Sequence, residues 1–230
     1  MKNNFIFILI FSLLWSCTPT KEEPNLREFG LDFYPLEENF FWEYDVKETI
    51  YTLINAPVVL NYQIREELKE LFIGLDNLPA YRYERYKRNT SNEVWVIDST
   101  GFVQKNNSFV RKSANNYTFV KLVFPLQEGK TWNGNAYNNL GAKDFQMKDV
   151  RKSYQLDNTQ NFSQTLKVFQ VNDSSLVALN RRVEIYAEDI GMIEASYKTL
   201  NYCSTSACVG QGVIRFGNDY SQKLKRYGKL

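Results

Sequence analysis

Tyr34-Pro35-Leu36-Glu37-Glu38-Asn39-Phe40-Phe41-Trp42 and Phe124-Pro125-Leu126-Gln127-Glu128-Gly129-Lys130-Thr131-Trp132 are two copies of one pattern. Each reads aromatic-Pro-Leu-x-Glu-x-x-x-Trp. Proline fixes φ near about −65° and removes a donor, so Pro35 and Pro125 suit a turn and not a central ladder. The residue before each is pushed to extended geometry, which makes Tyr34 and Phe124 strand ends. Gly129 supplies positive φ in the second copy, and Asn39 is the most tolerant substitute in the first. Trp42 and Trp132 then enter a strand as large apolar anchors. Two explanations fit: one turn solution used twice, or a pseudo-duplicated sheet with a tryptophan anchor in each half.

Downstream of the first copy, Phe40, Trp42, Tyr44, Val46 and Ile50 alternate with Phe41, Glu43, Asp45, Lys47 and Thr49. Period two means a half-buried strand. Glu48 interrupts it and is expected to snorkel or meet a loop. Residues 62–72 fit both a helical face and a strand face. The turn at 74–79 and the alternation of 80–88 favour a strand in a hairpin. Val94-Trp95-Val96-Ile97 and 119–124 are apolar on both faces and predict central, doubly buried strands. Asn-rich gaps at 106–107, 115–116 and 138–139 mark turns. Residues 182–200 read as a hairpin turned at Gly191. Tyr220, Leu224 and Tyr227 have helical spacing and predict a short terminal helix.

Aromatics make up 15% of the chain, which favours sheet. About ten to twelve antiparallel strands imply one β-rich domain over 31–230: a curved single sheet, half-barrel, barrel or sandwich, with one or two short helices. About 213 residues remain after N-terminal processing, enough for one core. Lys+Arg is 28 against 26 Asp+Glu, and this balance gives no reason to expect a nucleic-acid partner. The chain has no histidine, which removes the commonest general base and metal ligand. No cofactor or metal is expected.

Near the N-terminus, Phe5–Trp15 is apolar apart from Ser12 and is too short for a spanning helix of about 20 residues. It ends Leu14-Trp15-Ser16-Cys17, which resembles a bacterial lipobox. That resemblance implies a signal peptide over 1–16, lipidation of Cys17 with palmitate among the acyl chains, and stable anchoring. Residues 17–30 then form a tether. Within it, Lys21-Glu22-Glu23 looks like the surface-export signal of Bacteroidota lipoproteins, leaving cell-surface and periplasmic faces both open. Cys203 and Cys208 flank a small-residue loop and are expected to form a disulfide in an oxidising envelope. Closing so short a loop contributes only about 2 kcal/mol.

Catalytic constellations are sparse. Glu43, Asp45, Asp98, Asp144, Asp149, Glu184 and Asp189 are acidic residues from which a sugar-hydrolysing pair could be drawn. Nearly all fall at outward or turn positions, so solvated surface is expected. Lys223, Lys225, Arg226 and Lys229 make a basic C-terminus, read as solvated.

With the lipobox, the two Pro-Leu openings, the Tyr186–Ile193 hairpin and the late cysteine pair, the chain resembles uncharacterised Bacteroidota outer-membrane lipoproteins. The resemblance implies a lipid-anchored outer-membrane protein and transfers no functional residue. The leading expectation is a non-enzymatic binding or accessory subunit of an outer-membrane protein complex. The alternatives are a carrier of a lipid or other hydrophobic ligand, and a glycan-binding module using Trp42, Trp95 or Trp132. An apolar cavity would favour the carrier, an exposed apolar patch the partner-binding subunit, and paired buried carboxylates an enzyme.

Overall fold

The computed structural model describes residues 26–74 and 76–230. Cys17, the signal-like run and Lys21-Glu22-Glu23 lie outside them. Twelve strands form one antiparallel sheet: β1 (Phe40–Tyr51), β2 (Val58–Ile73), β3 (Pro79–Arg88), β4 (Val96–Lys105), β5 (Phe109–Ala114), β6 (Tyr117–Val123), β7 (Thr131–Asn133), β8 (Asp144–Gln155), β9 (Asn161–Ser174), β10 (Ala178–Ala187), β11 (Gly191–Tyr202) and β12 (Ile214–Lys229). Strand order is β6-β5-β4-β3-β2-β1-β12-β11-β10-β9-β8-β7. The sheet curls until its two edges, β6 and β7, almost meet, giving a nearly closed barrel. The seam is bridged where Val120 N–H donates to Gly134 O at 2.9 Å, and where the Trp132 indole donates to Val120 O at 2.9 Å.

The repeated stretch opens both halves of the sheet, six strands each. Asn39 (φ 63°) and Gly129 (φ 77°) are both left-handed. Asn39 N–H donates to Leu68 O of β2 at 2.8 Å; Gly129 N–H donates to Met147 O of β8 at 2.9 Å. Each copy therefore ties its turn to the second strand of its own half. This matches the pseudo-duplicated alternative. Because the left-handed region disfavours a Cβ, Asn39→Ala is expected to destabilise by about 1 kcal/mol in urea titration, while Asn39→Gly leaves stability unchanged.

One end of the barrel is plugged. Residues 26–29, which the sequence places in the tether, form a one-turn helix, α1 (Leu26–Phe29), followed by a 3-10 turn at Leu31–Phe33. Phe33 is fully buried and Tyr34 nearly so. Lys105 Nζ donates to Leu31 O at 3.0 Å and to Tyr34 O at 2.7 Å, and Asp189 N–H donates to Asp32 O at 2.9 Å. Trp42 lies in the plugged end, its indole N–H donating to Ile190 O at 2.5 Å. Around the plug the core packs Phe40, Tyr44, Ile64, Leu68, Leu122, Phe145, Met147, Leu166 and Ile193.

Several local expectations change. Residues 62–72 are strand and pair with β3, as the hairpin reading favoured. Residues 219–227 are also strand, because β12 completes its ladder between β1 and β11, and tertiary pairing overrides helical spacing. Val94, Val96 and Ile97 are 80%, 61% and 53% exposed, not doubly buried. They sit at the unplugged end, where β4 begins. Trp95 is likewise outside the core, with Arg65 and Arg88 over its ring at 4.9 and 4.1 Å. Glu48 neither snorkels nor meets a loop. It accepts hydrogen bonds from Tyr62 and Asn218 on the flanking strands at 3.2 and 2.6 Å. The basic residues Lys223, Lys225, Arg226 and Lys229 of β12 are solvent-exposed, as expected, and three of them also pair across the surface: Arg226 with Glu43 at 2.6 Å, Lys225 with Asp45 at 3.4 Å, and Lys229 with Glu37. Cys203 and Cys208 form the expected disulfide, with Cα atoms 5.7 Å apart.

Candidate functional site

Inward positions of β1, β2, β3, β5, β6 and β10–β12 converge on a chamber of about 320 Å³ above the plug. Strand alternation places them there, since the register pairs Trp42 with Glu66, Tyr44 with Ile64, Glu66 with Arg85 and Tyr197 with Tyr220. Aromatic rings make most of the wall: Tyr34, Trp42, Tyr44, Tyr83, Phe119, Tyr186, Tyr197 and Tyr220. Five charged side chains share it: Glu66, Arg85, Lys112, Lys121 and Glu184.

Four of the five charges form two clusters. Glu66 accepts from Tyr83 Oη at 2.7 Å and from Lys112 Nζ at 2.8 Å. Glu184 accepts from Lys121, from Tyr186 Oη at 2.6 Å and from Tyr197 Oη at 2.5 Å. Burial alone would raise both carboxyls. For Glu66, the Lys112 charge and hydrogen bonds from Lys112 and Tyr83 outweigh it, so the carboxyl lies below its ordinary value. For Glu184, the Lys121 charge and three hydrogen bonds outweigh burial and bring the carboxyl down to about 2. Burial pushes Tyr44, Tyr83, Tyr186 and Tyr197 well up, so they stay phenols and donors.

Two donors in the lining lack a hydrogen bond. Tyr220 Oη donates to Gln222 Oε1 at 2.5 Å, leaving Gln222 Nε2 buried without an acceptor. Arg85 Nε is also buried without one. Its closest carboxylate oxygen is Asp98 Oδ2 at 3.5 Å, and Asp98 does not line the chamber.

A second cavity of about 410 Å³ adjoins the first and shares Phe119, Lys121, Glu184 and Tyr197 with it. Its other lining residues include Asn135, Leu140, Lys143 and Phe145, so it runs toward the seam between β6 and β7.

Among the acidic candidates, only Glu184 lies in the chamber. Glu43 is 2% exposed but faces outward, clamped by Arg65 and Arg226. Both glutamates depart from the expected solvated surface because neighbouring strands supply cations over them. Asp45, Asp98, Asp144, Asp149 and Asp189 are not in the buried set. Glu66 escaped notice because 62–72 has helical composition. Only the β2 register turns it inward. Trp42 lines the chamber and Trp132 the seam, while Trp95 is on the outer surface. Among the described residues, no group of three His, Cys, Asp or Glu is placed to hold a metal ion.

The unplugged end carries exposed apolar side chains among its polar loop residues. Exposed Leu53, Ile54, Val58, Val59, Leu60, Val94, Val96, Leu176, Val213 and Phe216 belong to loops and strand ends there. Leu53, Ile54 and Phe216 line one surface hollow. No helix among the described residues is long and apolar enough to cross a membrane. Comparisons with protein-family models, with curated proteins and with solved structures found no match.

Proposed function

We propose that this chain is a non-enzymatic binding protein of the cell envelope, tethered to the outer membrane through Cys17, whose barrel holds a small polar ligand. The observation that carries this is the chamber itself. It joins aromatic walls to five charged groups and two unmatched donors. At about 320 Å³ it lies at the small end of the range for ligand sites, about 300–1,000 Å³. A lining with this charge does not favour an acyl chain, so the ligand of the carrier alternative becomes a polar one. Glycan stacking on the tyrosine walls is compatible with it. Hydrolysis is less well supported: Glu66 and Glu184 are both held ionised, and a glycosidase needs one carboxyl kept protonated.

The exposed aliphatics at the unplugged end favour a second proposal, the accessory subunit of an outer-membrane complex, because such clusters mark protein interfaces. One experiment separates them: native mass spectrometry of the lipidated protein taken from its own membrane in mild detergent. The expected result is a single chain carrying a small-molecule mass. A ligand-free chain with a stoichiometric protein partner would overturn the first proposal and support the second.

A further inference from the structure

Resting on the ligand-binding reading, the geometry points to the ligand's chemical class: we infer that the chamber takes a small organic anion, a carboxylate or sulfonate on a planar body. The lining carries three cations, Arg85, Lys112 and Lys121, and two carboxylates, Glu66 and Glu184, while Arg85 also faces Asp98 Oδ2 at 3.5 Å outside the chamber. Both carboxylates already accept from lysine and tyrosine donors. What is left unmatched on this wall is donor capacity: Gln222 Nε2, on a side chain only 5% exposed, and Arg85 Nε. A buried N–H without an acceptor costs about 1–3 kcal/mol. A ligand oxygen accepting from either recovers part of that cost, whereas a further donor recovers none.

Position agrees with this. Tyr220 ties the two donors together: its hydroxyl donates to Gln222, and its phenol feels the Arg85 charge. Lys112 and Lys121 are close enough to repel one another, so an anion beside them is attracted by both. Flanking rings from Tyr44, Tyr83, Tyr186 and Tyr197 give a planar body apolar surface.

The test uses two dyes with one aromatic body. 8-Anilinonaphthalene-1-sulfonate carries the anion, and N-phenyl-1-naphthylamine lacks it. Both are titrated by fluorescence against the folded chain and against Gln222→Glu and Arg85→Gln. Each variant leaves the Glu66–Lys112 and Glu184–Lys121 pairs in place, and thermal melting confirms that each is folded. The expected result is saturable one-to-one sulfonate binding, tighter than that of the neutral dye and weakened about tenfold or more by either variant, with the neutral dye unaffected. If both dyes bind alike and neither variant discriminates, the anion inference is overturned and the ligand-binding reading stands. If neither dye binds the folded chain, both are overturned.

Discussion

Replacing Glu184 by alanine is expected to destabilise the barrel by about 3–5 kcal/mol, the usual cost of removing one partner of a buried ion pair. Glu184 is 1% exposed. Its loss leaves Lys121 without a counter-charge and the Tyr186 and Tyr197 hydroxyls without their acceptor. Urea titration should show the midpoint falling by about 1–2 M. Glu184→Leu combined with Lys121→Met should recover part of the loss, because no charge is then stranded. If Glu184→Ala costs under about 1 kcal/mol, Lys121 has found another partner and the cluster is not as described.

Acid should reproduce the effect in the native chain. The folded Glu184 carboxyl titrates at about 2, below its ordinary 4.5. A lowered folded value means its stabilisation is complete above about pH 4.5 and is lost as pH falls toward about 2. A shift of this size is worth up to about 3 kcal/mol. Glu66 is lowered in the same direction and adds to the slope. Stability measured from pH 5 down to pH 2.5 should fall, and less steeply in Glu184→Ala.

Trp42→Ala should cost about 3–5 kcal/mol, as other buried aromatic truncations do. Its ring is 4% exposed and packs against Phe40 at 4.8 Å and Tyr34 at 6.4 Å. Its indole also satisfies Ile190 O. Trp42→Phe keeps most of the packing and should cost less, chiefly the unmatched carbonyl. The equivalent change in the second half, Trp132→Ala, should be milder globally and strong locally. Trp132 is only half-buried and bridges the seam, so hydrogen exchange should rise at Val120 and across β6 and β7. Equal global costs would mean that the two halves carry equal weight, and that the seam is as tight as the β1–β12 joint.

The strand-rich fold was legible because alternation is a local property. Phe40 to Val46 writes inside and outside directly into the chain, and the turns at Asn39, Gly129 and Gly191 need residues that tolerate positive φ. The cysteine pair was legible for the same reason, since its two members are close in sequence. Misreadings arose where one local pattern served two structures. Tyr220, Leu224 and Tyr227 are spaced for a helix, yet a bulge opposite Glu43 and Tyr44 brings them to one face of β12. Val94 to Ile97 looks like core but rims the open end.

By itself, then, the sequence determined the class of structure, its punctuation and the absence of histidine chemistry. These depend on backbone preference and composition, which act residue by residue. Only the tertiary structure decided that the sheet closes on itself through β1 and β12, with a seam between β6 and β7. Curling of the sheet brings Glu66 of β2 to Lys112 of β5, 46 positions away, and the meeting of its edges brings Glu184 to Lys121, 63 positions away. No periodicity can announce such pairs, because their energy comes from desolvation and charge across the barrel.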